Sequence, residues 1–147
     1  MKYFPLFALL SVIPVVACAK VPNKPAPPSA QSAQLPAAQL GVFEGTGRAC
    51  SGRLTITPKT LAWKTPFSPC PASAYSLVET RRKDGVQQWA YAFKALPRRC
   101  VYKVVMLEAV ASGKDEPAWN VSGFLSLDAY KADSDVDRLN CYMFRVR

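Results

Sequence analysis

Five cysteines, at positions 18, 50, 70, 100 and 141, and the absence of histidine bound the chemistry open to this 147-residue chain. Without histidine there is no Ser-His-Asp or Cys-His nucleophilic machinery and no imidazole metal site. The cysteines show no C-x-x-C spacing, so neither a zinc knuckle nor a thioredoxin-like redox pair is supported. Neither G-x-G-x-x-G nor G-x-x-x-x-G-K-[ST] occurs. Glu79, Asp84, Glu108, Asp115, Glu116 and Asp128 could supply a carboxylate pair for glycoside hydrolysis, but none stands in a recognisable motif. Asp133-Ser134-Asp135-Val136-Asp137 begins like a calcium loop. It then puts Arg138 where the EF-hand has glycine and Phe144 where it has the bidentate glutamate. No catalytic residue, metal or cofactor is expected.

Cys18 sorts the remaining cysteines. It closes Val15-Val16-Ala17-Cys18, behind a short apolar stretch that starts near Phe4. This arrangement resembles the lipobox of bacterial lipoproteins. The resemblance implies a signal peptide over 1–17, acylation of Cys18 with a palmitate-type chain, and Cys18 as the first mature residue. Ala19 stands where an inner-membrane-retained lipoprotein has aspartate, which by the same resemblance implies the outer membrane, facing the periplasm. The alternative is ordinary cleavage at the small-x-small pattern Ala17-Cys18-Ala19, releasing a soluble periplasmic or secreted protein. The apolar run, broken by Pro5 and Pro14, is too short for a spanning helix, which needs ~20 residues. With Cys18 set aside, Cys50, Cys70, Cys100 and Cys141 form an even set in an exported domain and read as two disulfides. Four cysteines permit three pairings, and short separation favours Cys50–Cys70 with Cys100–Cys141.

Residues 18–40 read as a lipidated N-terminus and tether, with Pro22, Pro25, Pro27, Pro28 and Pro36 among Ala, Ser and Gln. Residues 41–147, about 107 in all, are of a size for one domain with a modest core. The chain carries a formal charge of +9. Basic residues cluster at Arg81-Arg82-Lys83 and at Arg98-Arg99, with Lys94 and Lys103 nearby in sequence. Outside the cytoplasm such charge could meet lipopolysaccharide phosphates, anionic lipid, peptidoglycan carboxylates or an envelope protein. It could equally be a solvated surface. No recognition-helix pattern accompanies it, so no nucleic acid is expected.

The domain reads as about eight short strands in an antiparallel meander. Arg53–Thr57 alternates polar and apolar residues, turns at Pro58-Lys59, and continues as Thr60–Thr65. Tyr75–Arg81 and Gln87–Phe93 flank Asp84-Gly85, a strong hairpin signal. Val42–Ala49, Cys100–Ala109, Trp119–Leu127 and Leu139–Val146 supply the rest, and Asp128–Asp137 leaves room for a helical turn. The expected fold is all-β, a single small antiparallel barrel of about eight strands, with a two-layer sandwich as the alternative. Trp63, Trp89 and Trp119 are expected inside it. In a meander alternate connections lie at opposite ends, so all four domain cysteines fall at one end. Bridges there would rigidify a recognition surface, or simply hold a small exported domain together.

Compartment, size, disulfides and barrel are together similar to the small periplasmic lipoproteins that inhibit lysozyme. Their Ser-Gly-x-x-Tyr loop is absent: Ser51-Gly52, Ser112-Gly113 and Ser122-Gly123 all lack the tyrosine. The reading is a lipid-anchored envelope binding or structural protein rather than an enzyme, with Arg98 and Arg99 as binding residues beside Cys100. The Asp133–Asp137 loop is a potential neutraliser of those arginines, while Arg81 and Arg82 serve as solubilising charge. The alternatives are an inhibitor or immunity protein against a cell-wall hydrolase, and a carrier of a small apolar ligand.

Overall fold

The computed structural model describes residues 39–110, 118–136 and 138–146. Cys18, the lipobox and most of the tether lie outside the described residues, as do Asp115, Glu116 and Asp137. The strands are β1 (Gly41–Gly45), β2 (Gly52–Ile56), β3 (Thr60–Lys64), β4 (Pro69–Lys83), β5 (Val86–Phe93), β6 (Val104–Val110), β7 (Ala118–Phe124) and β8 (Arg138–Val146), with a short helix α1 (Leu127–Lys131) before β8. Each strand pairs antiparallel with the next, and β8 pairs with β1, which closes an eight-stranded barrel. The sandwich alternative is excluded by that seam.

Alternation along the strands fills the interior. Phe43, Leu54, Trp63, Tyr91, Val105, Leu107, Trp119, Val121 and Met143 pack there, each at most 4% exposed. Phe43 meets Trp119 edge to face at 5.5 Å, and Trp63 lies 5.1 Å from Tyr102. Gly123 is required by this packing, because a Cβ there would lie 2.6 Å from the Trp63 ring and 2.8 Å from that of Tyr102. Gln39 and Leu40, which the sequence reading assigned to the tether, belong to the packed chain. Gln39 is fully buried and accepts the Tyr91 hydroxyl, and the Leu40 carbonyl accepts from Arg145 Nη2 at 2.6 Å.

Element boundaries depart from the sequence expectation most at β4 and β6, while β1 ends at Gly45 and β7 at Phe124, short of the expected Ala49 and Leu127. The expected loop before Tyr75 is strand from Pro69 onward. Ala74 pairs with Thr60, Ser73 with Leu61, Cys70 with Trp63, and the register shift leaves Pro71 in a bulge where no ladder donor is needed. Conversely, Cys100–Lys103 is not strand, and β6 starts at Val104. The Asp84-Gly85 hairpin has positive φ at both residues, 51° and 81°, as a type I′ turn requires.

A second apolar cluster lies outside the barrel. Tyr130 of α1 packs on Phe124, Val104, Met106 and Ala90, the outward residues of β5, β6 and β7. Ser126 caps the helix, accepting from the Ala129 amide at 3.0 Å. Leu127, expected at the end of a strand, is the first residue of α1 and packs against this outer cluster.

The disulfides are Cys50–Cys141 and Cys70–Cys100, with Cα separations of 5.4 and 4.4 Å. This corrects the expected Cys50–Cys70 and Cys100–Cys141. The four cysteines sit around one rim, and on a ring two sets of neighbour pairs exist. Chain separation favoured one set. Closure makes β1 and β8 adjacent, which brings the first and last cysteines together and leaves the middle two for each other.

Non-reducing peptide mapping is therefore expected to yield the 50–141 and 70–100 cross-links and no free thiol among the four. The loops closed span 91 and 30 residues. On chain-entropy grounds, removal of Cys50–Cys141 should cost roughly 4–5 kcal/mol and removal of Cys70–Cys100 roughly 3–4 kcal/mol. Denaturant melts of the two double Cys→Ser variants check the order, and the reverse order would contradict the assignment of Cys50–Cys141 to the closing seam.

Candidate functional site

Two four-residue turns stand side by side at the cysteine end. The first is Thr65-Pro66-Phe67-Ser68, between β3 and β4. Its outer members are buried, Thr65 at 4% and Ser68 at 0% exposure, and they bond each other three times. The Thr65 amide donates to the Ser68 carbonyl at 3.1 Å, the Ser68 amide to Thr65 Oγ1 at 2.9 Å, and the Thr65 hydroxyl to the Ser68 carbonyl at 3.3 Å. With both ends fixed inward, the central residues must project, and Phe67 is 68% exposed.

The second turn is Pro97-Arg98-Arg99-Cys100, in the β5–β6 connection. The Cys100 amide donates to the Pro97 carbonyl at 3.1 Å, so Arg98 and Arg99 are its two central residues. Arg99 has φ of +66°, a position in the turn that glycine or asparagine fills most easily. A left-handed arginine costs on the order of 1 kcal/mol. Lys103 closes the base of the connection, donating its ammonium to the Phe93 carbonyl at 2.6 Å.

The turns are fastened together. Cys70 and Cys100 join them covalently, and the Val101 amide donates to Ser68 Oγ at 3.0 Å. Over the junction lies a shallow cleft of about 310 Å³ lined by Lys64, Pro69, Cys70, Pro71, Arg98 and Arg99. Its lining holds three cations and no carboxylate. Among the described residues Lys64, Arg98 and Arg99 enter no ion pair. On a neighbouring cleft that shares Lys64, the Arg53 cation is spent on Glu44, with Nε at 3.1 Å from the carboxylate.

In the other basic cluster Arg81 and Lys83 are structural, which corrects the expected role of Arg81 as solubilising charge. Arg81 donates to Gln88 Oε1 at 2.7 Å and lies over the Tyr130 ring at 5.5 Å. Lys83 pairs with Asp133 at 3.0 Å, and Arg138 reaches Asp133 at 3.2 Å and Asp135 at 3.4 Å. These contacts fasten α1 and the following loop to the barrel wall. The Asp133 and Asp135 carboxylates therefore serve Lys83 and Arg138, and among the described residues no carboxylate of this loop pairs with Arg98 or Arg99. Only Arg82 of the triplet stays exposed without such a contact.

Of the carboxylates weighed for catalysis, Glu79 and Glu108 are engaged by neighbours. Glu79 accepts from the Tyr130 hydroxyl at 2.6 Å, and Glu108 accepts from Gln88 at 2.6 Å and Asn120 at 3.3 Å. Burial, reinforced by the Glu79 hydrogen bond, raises the Tyr130 hydroxyl pKa above its ordinary value. The sequence reading missed Phe67 and Lys64. The flanking Thr and Ser, which bond the backbone in tight turns, were the available signal.

Searches against protein-family models, curated proteins and solved structures find no match to this chain.

The Lys83 hydrogen bond, with the Lys83, Arg138 and Arg81 charges, holds the Asp133 carboxyl below the ordinary aspartate range. Its pairing is thus intact at neutral pH and is lost only as pH falls through that lowered value. Lys83→Met should move the Asp133 titration up toward the ordinary value. Carbon-13 NMR of the side-chain carboxyls measures this, and an unmoved titration would contradict the assigned contact.

Proposed function

We propose that the domain is a cell-envelope binding module, held to the outer membrane by lipid on Cys18, that contacts an anionic envelope component through Arg98, Arg99 and Lys64. The observation that carries the reading is the cluster of three cations, unpaired among the described residues, lining one cleft at two turns joined by a disulfide. Arginine suits phosphate and carboxylate because its planar fork bonds two oxygens at once. Disulfides fit an oxidising compartment, in keeping with export. Binding rather than catalysis is favoured because Glu79 and Glu108 are occupied by neighbours. An apolar-ligand carrier would need the interior that Phe43, Trp63, Tyr91 and Met143 occupy.

The second reading, an inhibitor or immunity protein against a cell-wall hydrolase, draws on Phe67, a large side chain projecting from a fixed turn. Such a residue could enter a partner's cleft.

Titration with purified lipopolysaccharide and peptidoglycan at two salt concentrations tests the first reading. Arg98→Gln/Arg99→Asn removes both charges, and asparagine tolerates the left-handed φ. It should weaken binding at least tenfold, and binding of the native chain should fall with salt. Lys59→Gln/Arg82→Gln removes the same charge at the opposite end and should bind like the native chain. Equal binding by all three proteins would refute the basic-tip reading.

The anchor has its own test. Metabolic labelling with a palmitate analogue should mark the native chain and leave Cys18→Ser unmarked. An unlabelled native chain with Lys20 at its mature N-terminus would refute the lipoprotein reading.

A further inference from the structure

The cysteine end carries more than charge. Phe67 is 68% exposed, Val101 44% and Leu96 46%. Phe67 and Val101 belong to the two turns that Cys70–Cys100 and the Val101–Ser68 hydrogen bond hold together, and Leu96 precedes the Arg98-Arg99 turn by one residue. Buried anchors on either side hold them outward: Thr65 and Ser68 flank Phe67, and Cys100 and Tyr102 flank Val101. An apolar side chain facing water gains nothing from being fixed there, and the left-handed Arg99 adds a backbone cost beside it. Both features become favourable against a surface that offers anionic oxygens at its face and hydrocarbon just beneath.

We propose that this tip docks on an anionic bilayer surface. Phe67 and Val101 enter the headgroup–acyl boundary, and Lys64, Arg98 and Arg99 bond lipid phosphates. The proposal deepens the reading above, on which it rests for the anionic partner, and commits it to a phospholipid surface. Charge complementarity supports this occupant: the cleft between the turns holds three cations and no carboxylate. Each basic residue near an anionic membrane surface contributes ~1 kcal/mol, and side chains entering the boundary add their apolar burial. Chain length permits the geometry. Residues 19–38 number twenty and reach roughly 60 Å at ~3.1 Å per extended residue. An eight-residue strand such as β5 is only ~26 Å long. A lipid on Cys18 therefore leaves the tip free to meet the same bilayer.

The test uses the oxidised mature chain from position 18 onward carrying Cys18→Ser, so that neither the apolar leader nor an acyl chain contributes. Flotation with phosphatidylcholine vesicles, with and without phosphatidylglycerol, reads binding. Phe67→Trp in a Trp89→Phe background, combined with brominated lipid, reads insertion, since Trp63 and Trp119 are buried inside the barrel whereas Trp89 is half-buried. Binding is expected only with phosphatidylglycerol. Arg98→Gln/Arg99→Asn should weaken it roughly 20–30-fold, the loss of two such contacts. Phe67→Ser should weaken it roughly tenfold and leave the thermal midpoint nearly unchanged, because Phe67 is largely exposed and outside the core. Brominated lipid should quench the tryptophan at 67, and inorganic phosphate should not displace the vesicles. Loss on Phe67→Ser failing to appear, or an unquenched tryptophan at 67, overturns membrane docking while leaving anion binding through the arginines intact. Absence of vesicle binding in a chain that still binds peptidoglycan or inhibits a cell-wall hydrolase also overturns it, in favour of that partner. Unchanged vesicle binding by the arginine variant overturns this proposal and the anionic reading together.

Discussion

The β1–β8 seam is the contact on which the remaining structure depends. It joins the two ends of the domain in only four residue pairs, from Val42–Val146 to Gly45–Met143. Cys50–Cys141 fastens it at one end, and the Arg145 side chain, reaching the Leu40 carbonyl, fastens it at the other. Closure removes both sheet edges, which would otherwise present unpaired backbone donors and acceptors. It also encloses a core built from inward residues of all eight strands, which a domain this small needs. Ring geometry follows from the same contact. Once the sheet closes, the four connections at one end become neighbours in a circle, and the cysteines pair around it.

From that circle comes the tip. The Thr65–Ser68 and Pro97–Cys100 turns are far apart in sequence but adjacent on the rim, and they share a disulfide and a backbone-to-side-chain hydrogen bond. Part of the surface charge elsewhere is treated differently. Arg53, Lys83 and Arg138 all find carboxylates, and Arg81 finds an amide and a ring. Among the described residues Lys64, Arg98 and Arg99 stand without ion pairs, beside two turns that a disulfide joins. Uncompensated charge on pre-ordered turns lowers the ordering cost of binding, which gives the functional reading its physical content.

Much of the fold was legible in the sequence because strand alternation and turn chemistry are local. Asp84-Gly85 marks its hairpin, and Arg53–Thr57 marks a half-buried strand. The inward placement of Trp63 and Trp119 follows the same alternation. The outer cluster was missed, although Val104-Val105-Met106-Leu107 carried the signal: a continuous apolar run means a strand covered on both faces, and α1 is the second cover. The strand start at Pro69 was hidden by prolines that a bulge accommodates. The disulfide pairing was beyond local reading, because separation along the chain says nothing about adjacency around a closed ring. Arg98 and Arg99 were visible as a basic pair. Lys64 and Phe67 join them only through contacts between turns some thirty residues apart.

The central claim is that the tip is held in its binding arrangement before any partner arrives. Backbone amide order parameters of the oxidised protein test it most directly. The account predicts values for Phe67, Arg98, Arg99 and Val101 close to those of the strands, at about 0.85. Values below about 0.6 at those residues, with ordered strands on either side, would contradict it.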